Sequence, residues 1–335
     1  MTSTSASREH PPQFSPTSNP ADSAPTHSGP SKCHQPTNPS HPHPLTHPQL
    51  PTHLSSSANA PPPAYDRPTD EEILQYEKAI KAAEVGDTPL IGDVTGFDGL
   101  LAEYALSPVF LSKAHNLSST STGIRTAKRD GNCFYRAFSF RLCELLHQHS
   151  DTPWAKAVVK RAEGTRGVLG EVGYDVGLLE DFWEVFEGVL RPVGEEGGQT
   201  EGGEGGETLL EKMRTEYVSD TIVCYLRLVT AAVLKKNRDL FEAFILDSYP
   251  SLDLFISSQV EPMNIEADQP HIVAIATALG VTVRIANLDP TLTDSSGTVN
   301  YHEIEPLEPL DVQEGKKEVV LLYRPGHYDV LYPRE

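Results

Sequence analysis

One cysteine stands where a polar turn meets an apolar helical segment, in the run Arg129-Asp130-Gly131-Asn132-Cys133. The first N–H groups of a helix lack intrahelical partners, and the helix N-terminus carries partial positive charge. Both features lower a thiol pKa and favour the thiolate, and the same N–H groups can stabilise an oxyanion. The position therefore predicts Cys133 as a nucleophile. A small buried core residue is the alternative interpretation.

A histidine and an aspartate near the C-terminus could complete such a site. His327 and Asp329 lie in a predicted strand that follows the turn Pro325-Gly326. Side chains alternate faces along a strand, so the two point the same way. Asp329 could then orient the imidazole while His327 takes the proton of a cysteine, as in covalent catalysis. An exposed histidine on an edge strand is the alternative.

The remaining histidines offer weaker chemistry. His271 follows Pro270 in a predicted helix and is interpreted as structural. Five residues of the N-terminal tail could bind a metal weakly, but their spacing is irregular: Cys33, His41, His43, His47 and His53. That spacing is poor for a metal site. Because no phosphate-binding, dinucleotide-binding or zinc-protease motif carries weight either, we expect neither a cofactor nor a metal.

The elements that position these residues are mostly helical. Phe134, Phe138, Leu142 and Leu145 repeat on one face of a predicted helix from Asn132 to His149. Further helices are predicted at about 70–85, 98–117 with a breaking Pro108, 175–191, 207–216, 218–235, 238–248 and 268–279. The last one has Asp268 as its N-cap and ends at Gly280. Strands at 281–286, 318–323 and 327–332 complete an α+β fold with a small C-terminal sheet.

Composition divides the chain into a tail and a domain. Residues 1–65 hold more than half of the 28 prolines and of the 13 histidines, with almost no large apolar residues. Such a segment cannot bury enough surface to offset chain entropy, so we predict disorder. Residues 66–335 suffice for one domain. Within it, an acidic glycine-rich run at about 194–207 is predicted to be a flexible surface insertion.

The charge balance restricts the partners. The four charged tail residues cancel, so the formal charge of -20 belongs to residues 66–335. An acidic body is a poor nucleic-acid binder and suits a partner with a basic face, although acidity could serve solubility alone. Pro62-Pro63-Ala64-Tyr65 has the PPxY form that binds WW domains, and an ordinary proline-rich linker is the alternative. Because the sequence shows no apolar run of membrane length and no signal peptide, we expect an intracellular protein with free thiols. We expect it in the cytoplasm, with the nucleus as a second compartment, and as a monomer.

Four blocks of sequence resemble a known family. Asp130-Gly131-Asn132-Cys133-Phe134-Tyr135-Arg136-Ala137-Phe138 resembles the active-site motif of the OTU cysteine proteases. The stretch from Tyr323 to Tyr332 resembles the C-terminal histidine motif of the otubain branch. Two intermediate blocks, from Asp220 to Leu228 and from Val260 to Ile272, also resemble otubains. The blocks follow the family order and cover roughly residues 70–335.

The resemblance implies a papain-like OTU fold and a deubiquitinase that cleaves isopeptide bonds after the ubiquitin C-terminus. It implies Cys133 as nucleophile, His327 as general base, Asp329 as the orienting acid and the Asp130 backbone N–H as part of the oxyanion hole. Polyubiquitin of the proteasome-targeting type is the implied substrate, and ubiquitin-conjugating enzymes are further expected partners. A non-catalytic binder of ubiquitin or of conjugating enzymes, and a hydrolase of a modifier such as Nedd8, are the alternatives.

Overall fold

The computed structural model describes residues 88–191, 207–291, 297–312 and 315–334. Several sequence predictions lie outside these ranges. They are the disordered tail at 1–65, its WW-binding motif and metal-ligating residues, the helix at 70–85 and nearly all of the insertion at 194–207.

A six-stranded mixed sheet forms one layer of the described domain. Its strands are β1 (Ile91–Thr95), β2 (Ser121–Ala127), β3 (Thr282–Asn287), β4 (Asn300–Ile304), β5 (Glu318–Arg324) and β6 (His327–Pro333). Their order is β1-β2-β6-β5-β3-β4, with β3 and β5 parallel and every other pair antiparallel. The three strands predicted from the sequence are confirmed as β3, β5 and β6. The sheet is larger than predicted, because β1, β2 and β4 join it.

Helices cover the sheet. They are α1 (Asp98–Glu103), α2 (Pro108–Thr120), α3 (Cys133–Gln148), α4 (Pro153–Glu171), α5 (Glu180–Leu190), α6 (Leu209–Arg214), α7 (Glu216–Lys236), α8 (Arg238–Ile245), α9 (Leu252–Phe255) and α10 (Gln269–Leu279). A 3-10 turn at Val176–Leu179 precedes α5, and a π turn at Ile256–Val260 follows α9. Pro108 does separate two helices, as predicted, and it occupies the first turn of α2.

Helix α7 runs through the middle of the helical layer, packed against α3, α4, α5, α6 and α10. It is long and apolar enough to cross a membrane by length and composition alone, but 67% of its most apolar window is buried in the protein. It also carries Arg227, which is fully buried. A long apolar helix can lie in a membrane or in the core of a folded domain. The burial of α7 against other helices is typical of a core helix.

Helix α3 joins the sheet to the helical layer. It begins at Cys133 and packs on β2, β5 and β6 on one side and on α5, α6 and α7 on another. The aromatic rings of Phe134 and Phe138 stack with centroids 5.7 Å apart, and both are fully buried. The predicted helix and its core-facing side chains are thus confirmed. Because both layers hold α3, the position of its first residue is fixed by the whole core.

Candidate active site

Cys133 is the first residue of α3, as the sequence predicted, and only 3% of it is exposed. Its thiol accepts a hydrogen bond from the backbone N–H of Tyr328, in β6. Tyr328 lies between His327 and Asp329 in the sequence, so this contact brings the cysteine to the segment that carries the other two predicted residues. The first residue of α3 and the first residues of β6 therefore meet at the site.

His327 and Asp329 point the same way from β6, and they are in direct contact. Nε2 of His327 lies 2.8 Å from Oδ1 of Asp329. Since an ionised carboxylate can only accept, Nε2 donates to it, and in the neutral imidazole Nδ1 keeps its lone pair. Nδ1 is buried and has no hydrogen-bond partner among the described residues. That nitrogen is therefore free to take a proton, which is what a general base must do.

Asp329 is 1% exposed, and both of its carboxylate oxygens are occupied. Oδ1 also accepts the backbone N–H of Ala127 at 3.1 Å, and Oδ2 accepts Arg324 at 2.5 Å. Burial opposes ionisation, but the hydrogen bond and charge of His327, the Arg324 charge and the Ala127 N–H outweigh it. Together they hold the pKa of Asp329 below its ordinary value. The residue is thus a carboxylate that cannot turn away from the imidazole.

The protonation of Cys133 differs from the sequence prediction. The helix start was expected to lower the thiol pKa, but burial raises the pKa of Cys133 to about 12. The N–H group of Tyr328 lowers it, while the nearby carboxylates of Asp130 and Asp329 raise it further. Desolvation of a nearly inaccessible sulfur outweighs the helix terminus. In this conformation Cys133 is a neutral thiol, and its thiolate must form by proton transfer.

The loop before Cys133 is held by hydrogen bonds among its own residues and to the first turn of α3. The backbone N–H of Asp130 donates to the Lys128 carbonyl at 2.8 Å, and the N–H of Cys133 donates to the Asp130 carbonyl at 3.1 Å. The Asp130 carboxylate accepts the Asn132 N–H at 2.9 Å and an Arg136 N–H at 2.8 Å. The two N–H groups that the family resemblance assigns to the oxyanion hole are therefore both occupied in this conformation.

A buried arginine holds this loop to the opposite wall of the site. From α7, Arg227 donates to the carbonyl of Gly131 at 2.8 Å and to Oδ1 of Asn132 at 2.9 Å, and also to the carbonyl of Ile265. Asn132 and Asn264 form a second link, because Nδ2 of Asn132 donates to Oδ1 of Asn264 at 2.9 Å. The Asn264 N–H returns a bond to Oδ1 of Asn132 at 2.9 Å.

A small cleft of about 90 Å³ opens beside Cys133. Tyr328 of β6 lines it, and so do two exposed acidic residues, Glu266 and Asp268. Two larger depressions of about 470 and 570 Å³ lie elsewhere and contain none of these residues. The chemistry indicates the smaller cleft as the site, since it is the one that reaches the thiol. Its acidic wall favours a basic extended segment.

The other predicted candidates take structural roles or lie outside the described residues. His271 is fully buried, its Nδ1 accepts the Asp268 N–H at 3.1 Å, and its Nε2 lies 3.2 Å from the Gln259 carbonyl. Its structural interpretation is therefore confirmed. Within the described ranges, no cluster of three or more histidine, cysteine, aspartate or glutamate side chains is placed to hold a metal ion.

Three residues of the site were not found from the sequence. Arg324 precedes the Pro-Gly turn in β5, and pairing with His327 across the β5–β6 hairpin would have indicated its place. Glu103, which binds Arg324, and Arg227 are separated from their partners by long stretches of chain. Nothing in a single sequence connects residues at that distance.

The chain matches the Peptidase C65 Otubain family over residues 83–333. It is 37% identical over 271 residues to OVARIAN TUMOR DOMAIN-containing deubiquitinating enzyme 1 of Arabidopsis thaliana, covering 79% of this chain and 86% of that protein. It is 32% identical over 266 residues to human ubiquitin thioesterase OTUB1, covering 78% of this chain and 90% of that protein.

Solved structures with the same fold include otubain complexes. The chain in the h/ceOTUB1-ubiquitin aldehyde-UBC13~Ub structure aligns with a TM-score of 0.65 at 28% identity, covering 79% of this chain and 99% of that one. The h/ceOTUB1-ubiquitin aldehyde-UBCH5B~Ub structure gives a TM-score of 0.64 at 29% identity, covering 79% and 98%. These similarities confirm the α+β fold that the motif blocks predicted.

Proposed function

This chain belongs to the peptidase C65 otubain family and is a cysteine-type deubiquitinase, and we propose that Cys133, His327 and Asp329 carry out its reaction. The observation that carries this assignment is the pairing of Nε2 of His327 with Asp329, 2.8 Å apart, beside the Cys133 thiol. It leaves Nδ1 as the acceptor for the thiol proton. Cys133 lines the cleft together with Tyr328, and the base and its orienting carboxylate flank Tyr328 on the same strand.

The acylation half begins when Nδ1 of His327 takes the Cys133 proton. The thiolate attacks the carbonyl carbon at the C-terminal glycine of ubiquitin and forms a carbon–sulfur bond, and the carbonyl electron pair moves to oxygen. When the tetrahedral intermediate collapses, the carbon–nitrogen bond breaks and the imidazolium gives its proton to the leaving lysine amine. The product on the enzyme is a thioester.

The deacylation half uses the same base. His327 takes a proton from water, the hydroxide attacks the thioester carbonyl, and the carbon–sulfur bond breaks. Cys133 leaves as thiolate and recovers its proton from the imidazolium, so the enzyme ends as it began. Asp329 stays ionised throughout and stabilises the imidazolium that forms in each half.

The oxyanion of either tetrahedral intermediate needs hydrogen-bond donors, and the candidate N–H groups must first break their bonds within the loop before Cys133. The N–H groups of Asp130 and Cys133 are bound to the carbonyls of Lys128 and Asp130. We propose that the ubiquitin tail displaces these internal bonds as it enters the cleft. Since one oxyanion donor contributes roughly 3–4 kcal/mol, this rearrangement would couple substrate binding to turnover.

Ubiquitin is the substrate that the cleft suits. Its C-terminal tail is basic, and the acidic residues Glu266 and Asp268 line the cleft. Ubiquitin aldehyde occurs in both of the otubain structures described above, which supports the same ligand here. We assign polyubiquitin of the proteasome-targeting type as the preferred chain, by family resemblance.

Ubiquitin-conjugating enzymes are the second class of partner in the proposal. The two aligned structures contain UBC13~Ub and UBCH5B~Ub, and this chain covers nearly the full length of their otubain chains. Binding of this kind can coexist with hydrolysis. We further propose a monomer that acts in the cytoplasm and also in the nucleus.

A ubiquitin bearing a C-terminal electrophile tests the assignment directly. The wild-type chain should form one covalent adduct, whereas Cys133→Ser should form none and Cys143→Ser, which alters another buried cysteine, should react normally. An adduct that persists in Cys133→Ser would remove Cys133 from the mechanism. Binding of the unreactive Cys133→Ser variant to ubiquitin, measured by calorimetry, then separates a failed catalyst from a failed binder.

The same probe made from Nedd8 separates the two candidate modifiers. With both probes at equal concentration, we expect the ubiquitin adduct to predominate. Predominance of the Nedd8 adduct would retain the mechanism and change the substrate. A chain that binds ubiquitin or a conjugating enzyme but reacts with neither probe would instead be a non-catalytic regulator.

A further inference from the structure

A line of alternating charges runs from the protein surface to the catalytic histidine. Arg129 lies 3.3 Å from Oε1 of Glu103, and Oε2 of Glu103 accepts Arg324 at 2.7 Å. Arg324 reaches Oδ2 of Asp329 with its other terminal nitrogen, and Oδ1 of Asp329 holds His327. Five side chains from three separate parts of the sequence thus form one hydrogen-bonded series.

Burial increases along this series. The side chain of Arg129 is 51% exposed and that of Glu103 is 40% exposed, while Arg324 is 8% and Asp329 is 1% exposed. Glu103 is the last residue of α1, and Arg324 ends β5 directly opposite His327 across the hairpin. The outer carboxylate can therefore be changed without opening the core, although only Arg324 and Asp329 stand between it and the imidazole.

Each charged side chain in the series partly offsets the charge of its neighbour. Arg324 next to Asp329 offsets part of the negative charge that would otherwise stabilise a protonated His327. Glu103 in turn offsets the charge of Arg324, because its carboxylate binds the other guanidinium nitrogen at 2.7 Å. Buried charges interact more strongly than exposed ones, since solvent screens them less. Removing either side chain should therefore move the proton affinity of His327, in opposite directions.

We propose that Glu103 and Arg324 are positioning residues, which hold Asp329 against His327 and set the pH at which His327 gains its proton. This inference rests on the proposed role of His327 as the base. Arg324 fixes the carboxylate in place from the side away from the imidazole. Glu103 fixes Arg324 and restores the negative charge that Arg324 removes. The active site would thereby extend to helix α1, which lies outside the cleft.

Other ionisable groups lie around this series. Cys133 is close to Asp329 and Asp130, and Tyr104 is close to Arg324. Glu266 and Asp268 are close to Tyr328, between the histidine and its carboxylate in the sequence. None of them is altered by the substitutions described next. Their influence is therefore a constant background in the comparison.

Nuclear magnetic resonance on histidine-labelled full-length protein tests the proposal without using activity. The His327 signal is identified by its loss in His327→Gln, and its chemical shift is followed against pH. In Glu103→Gln the midpoint should move to lower pH by about half a unit or more, because Arg324 is left unbalanced. In Arg324→Gln it should move to higher pH, and in the double variant it should return toward the wild-type value.

Glu180→Gln is the matched control. Glu180 binds Arg166 at 2.7 Å and is 40% exposed, which equals the distance and exposure of Glu103 in its pair with Arg324. This control should leave the His327 midpoint unchanged. Arg324→Lys, which keeps the charge, should also lie nearer to wild type than Arg324→Gln.

The enzymatic readout is hydrolysis of a fluorogenic ubiquitin substrate at several pH values. For Glu103→Gln we expect a roughly threefold to tenfold loss of kcat at neutral pH with KM little changed. Two results of the His327 titration would overturn the proposal. One is a midpoint that shifts in the same direction in Glu103→Gln and Arg324→Gln. The other is a midpoint in Glu103→Gln that moves no further than in Glu180→Gln. If Arg324→Gln fails to fold, Glu103→Gln and its comparison with Glu103→Asp still decide the question. If the electrophile assay fails but the His327 midpoint shifts in the two expected directions, the proposed function is wrong and the role of Glu103 and Arg324 still holds.

Discussion

Gly131 and Asn264 are in backbone contact across the site. A Cβ atom on Gly131 would lie 2.1 Å from both the carbonyl carbon and the carbonyl oxygen of Asn264. Asn264 itself has a φ of 65°, a left-handed conformation that is uncommon outside glycine. The loop that delivers Cys133 is therefore fitted against the loop that forms the opposite wall, and neither backbone has room to move toward the other.

Gly131→Ala should destabilise the protein and impair its reaction with the ubiquitin electrophile. The added methyl meets main-chain atoms that cannot rotate away, so one loop must shift, at a cost of about 2 kcal/mol or more in the free energy of unfolding. Urea denaturation measures this loss. Because the same shift displaces the start of α3, the rate of adduct formation should fall at least about tenfold.

Gly164→Ala supplies the control for that substitution. Gly164 lies in the interior of α4, and a Cβ there meets nothing within 4 Å. Alanine is the better helix former, so this variant should gain about 0.5–1 kcal/mol of stability. Equal effects at the two positions would show that the contact between Gly131 and Asn264 does not constrain the loop.

The parts of the fold that sequence reasoning found have local signals. The apolar repeat of α3, the proline in the first turn of α10 and the αL conformation of Gly280, with φ of 68°, follow from short-range chemistry. Helix α4 was missed because Gly164, Gly167 and Gly170 interrupt its apolar pattern. The apolar side that it buries, which includes Trp154, Val158 and Leu169, makes it a helix through tertiary packing.

The features of the site also separate into those with a local sequence signal and those without one. Cys133, His327 and Asp329 could be found because each lies in a short motif: a helix start for Cys133, and strand alternation for His327 and Asp329. The protonation of Cys133 could not be found, because burial by β6 depends on the completed fold. The contacts of Arg227 with Gly131 and of Arg324 with Glu103 also arise only in three dimensions, since 96 and 221 positions separate the partners.

Arg227→Lys should cost both stability and turnover. The guanidinium donates to the carbonyls of Gly131, Ile265 and Val260 and to Oδ1 of Asn132. A lysine ammonium is a point charge that cannot reach this planar set, and it leaves buried carbonyls unpaired. We expect a loss of about 2–4 kcal/mol in unfolding free energy by chemical denaturation, and a tenfold or greater decrease in kcat.

Arg284→Lys is the comparison for that variant. Arg284 is 40% exposed in β3 and lies 3.7 Å from Glu318, so its replacement should change stability by less than about 0.5 kcal/mol. A small effect of Arg227→Lys, similar to this one, would mean that the loop before Cys133 holds its position without the arginine.

Asp329→Asn should change the acid stability of the protein in a defined window. The pKa of Asp329 is lower in the folded state than in the unfolded chain, so its ionisation contributes stability above the unfolded value, near pH 4. That contribution is lost as pH falls through the folded value. The excess stability of the wild type over Asp329→Asn should therefore shrink as the pH falls below about 4.

Urea denaturation of both proteins between pH 3 and pH 7 measures this difference. At neutral pH we expect about 3–5 kcal/mol in favour of the wild type, because asparagine leaves Arg324 without its buried partner. A difference that is independent of pH down to pH 3 would contradict an ionised Asp329. Asp181→Asn, at a helix surface position, should show no such narrowing.

His327→Ala should lower kcat for a fluorogenic ubiquitin substrate by at least about 10²-fold, the low end for loss of a general base. The thiol pKa of Cys133 is raised to about 12 by burial, so little thiolate exists at neutral pH without a base beside it. Turnover of the variant should therefore rise with pH up to the limit of stability. Turnover near the wild-type level at pH 7 would remove His327 from the mechanism.

An exposed apolar surface on α8 and α9 should contribute to ubiquitin binding. Leu240 and Phe244 are 44% and 71% exposed and lie one helical turn apart, and Leu254 of α9 is 47% exposed. An ion pair of 2.5 Å between Arg238 and Asp253 joins the two helices that carry these side chains. Large apolar groups held in water by a rigid scaffold are typical of a binding surface.

Phe244→Ala should therefore raise KM for the fluorogenic ubiquitin substrate about tenfold, with kcat within about twofold of wild type. We expect its loss to affect binding and not the chemistry, because Phe244 does not line the cleft beside Cys133. Leu178→Ala is the control, since Leu178 is 75% exposed on a different element, the 3-10 turn before α5. Binding of ubiquitin to the Cys133→Ala variant, with and without Phe244→Ala, separates affinity from kinetics. An unchanged KM and affinity would place the ubiquitin surface elsewhere on the domain.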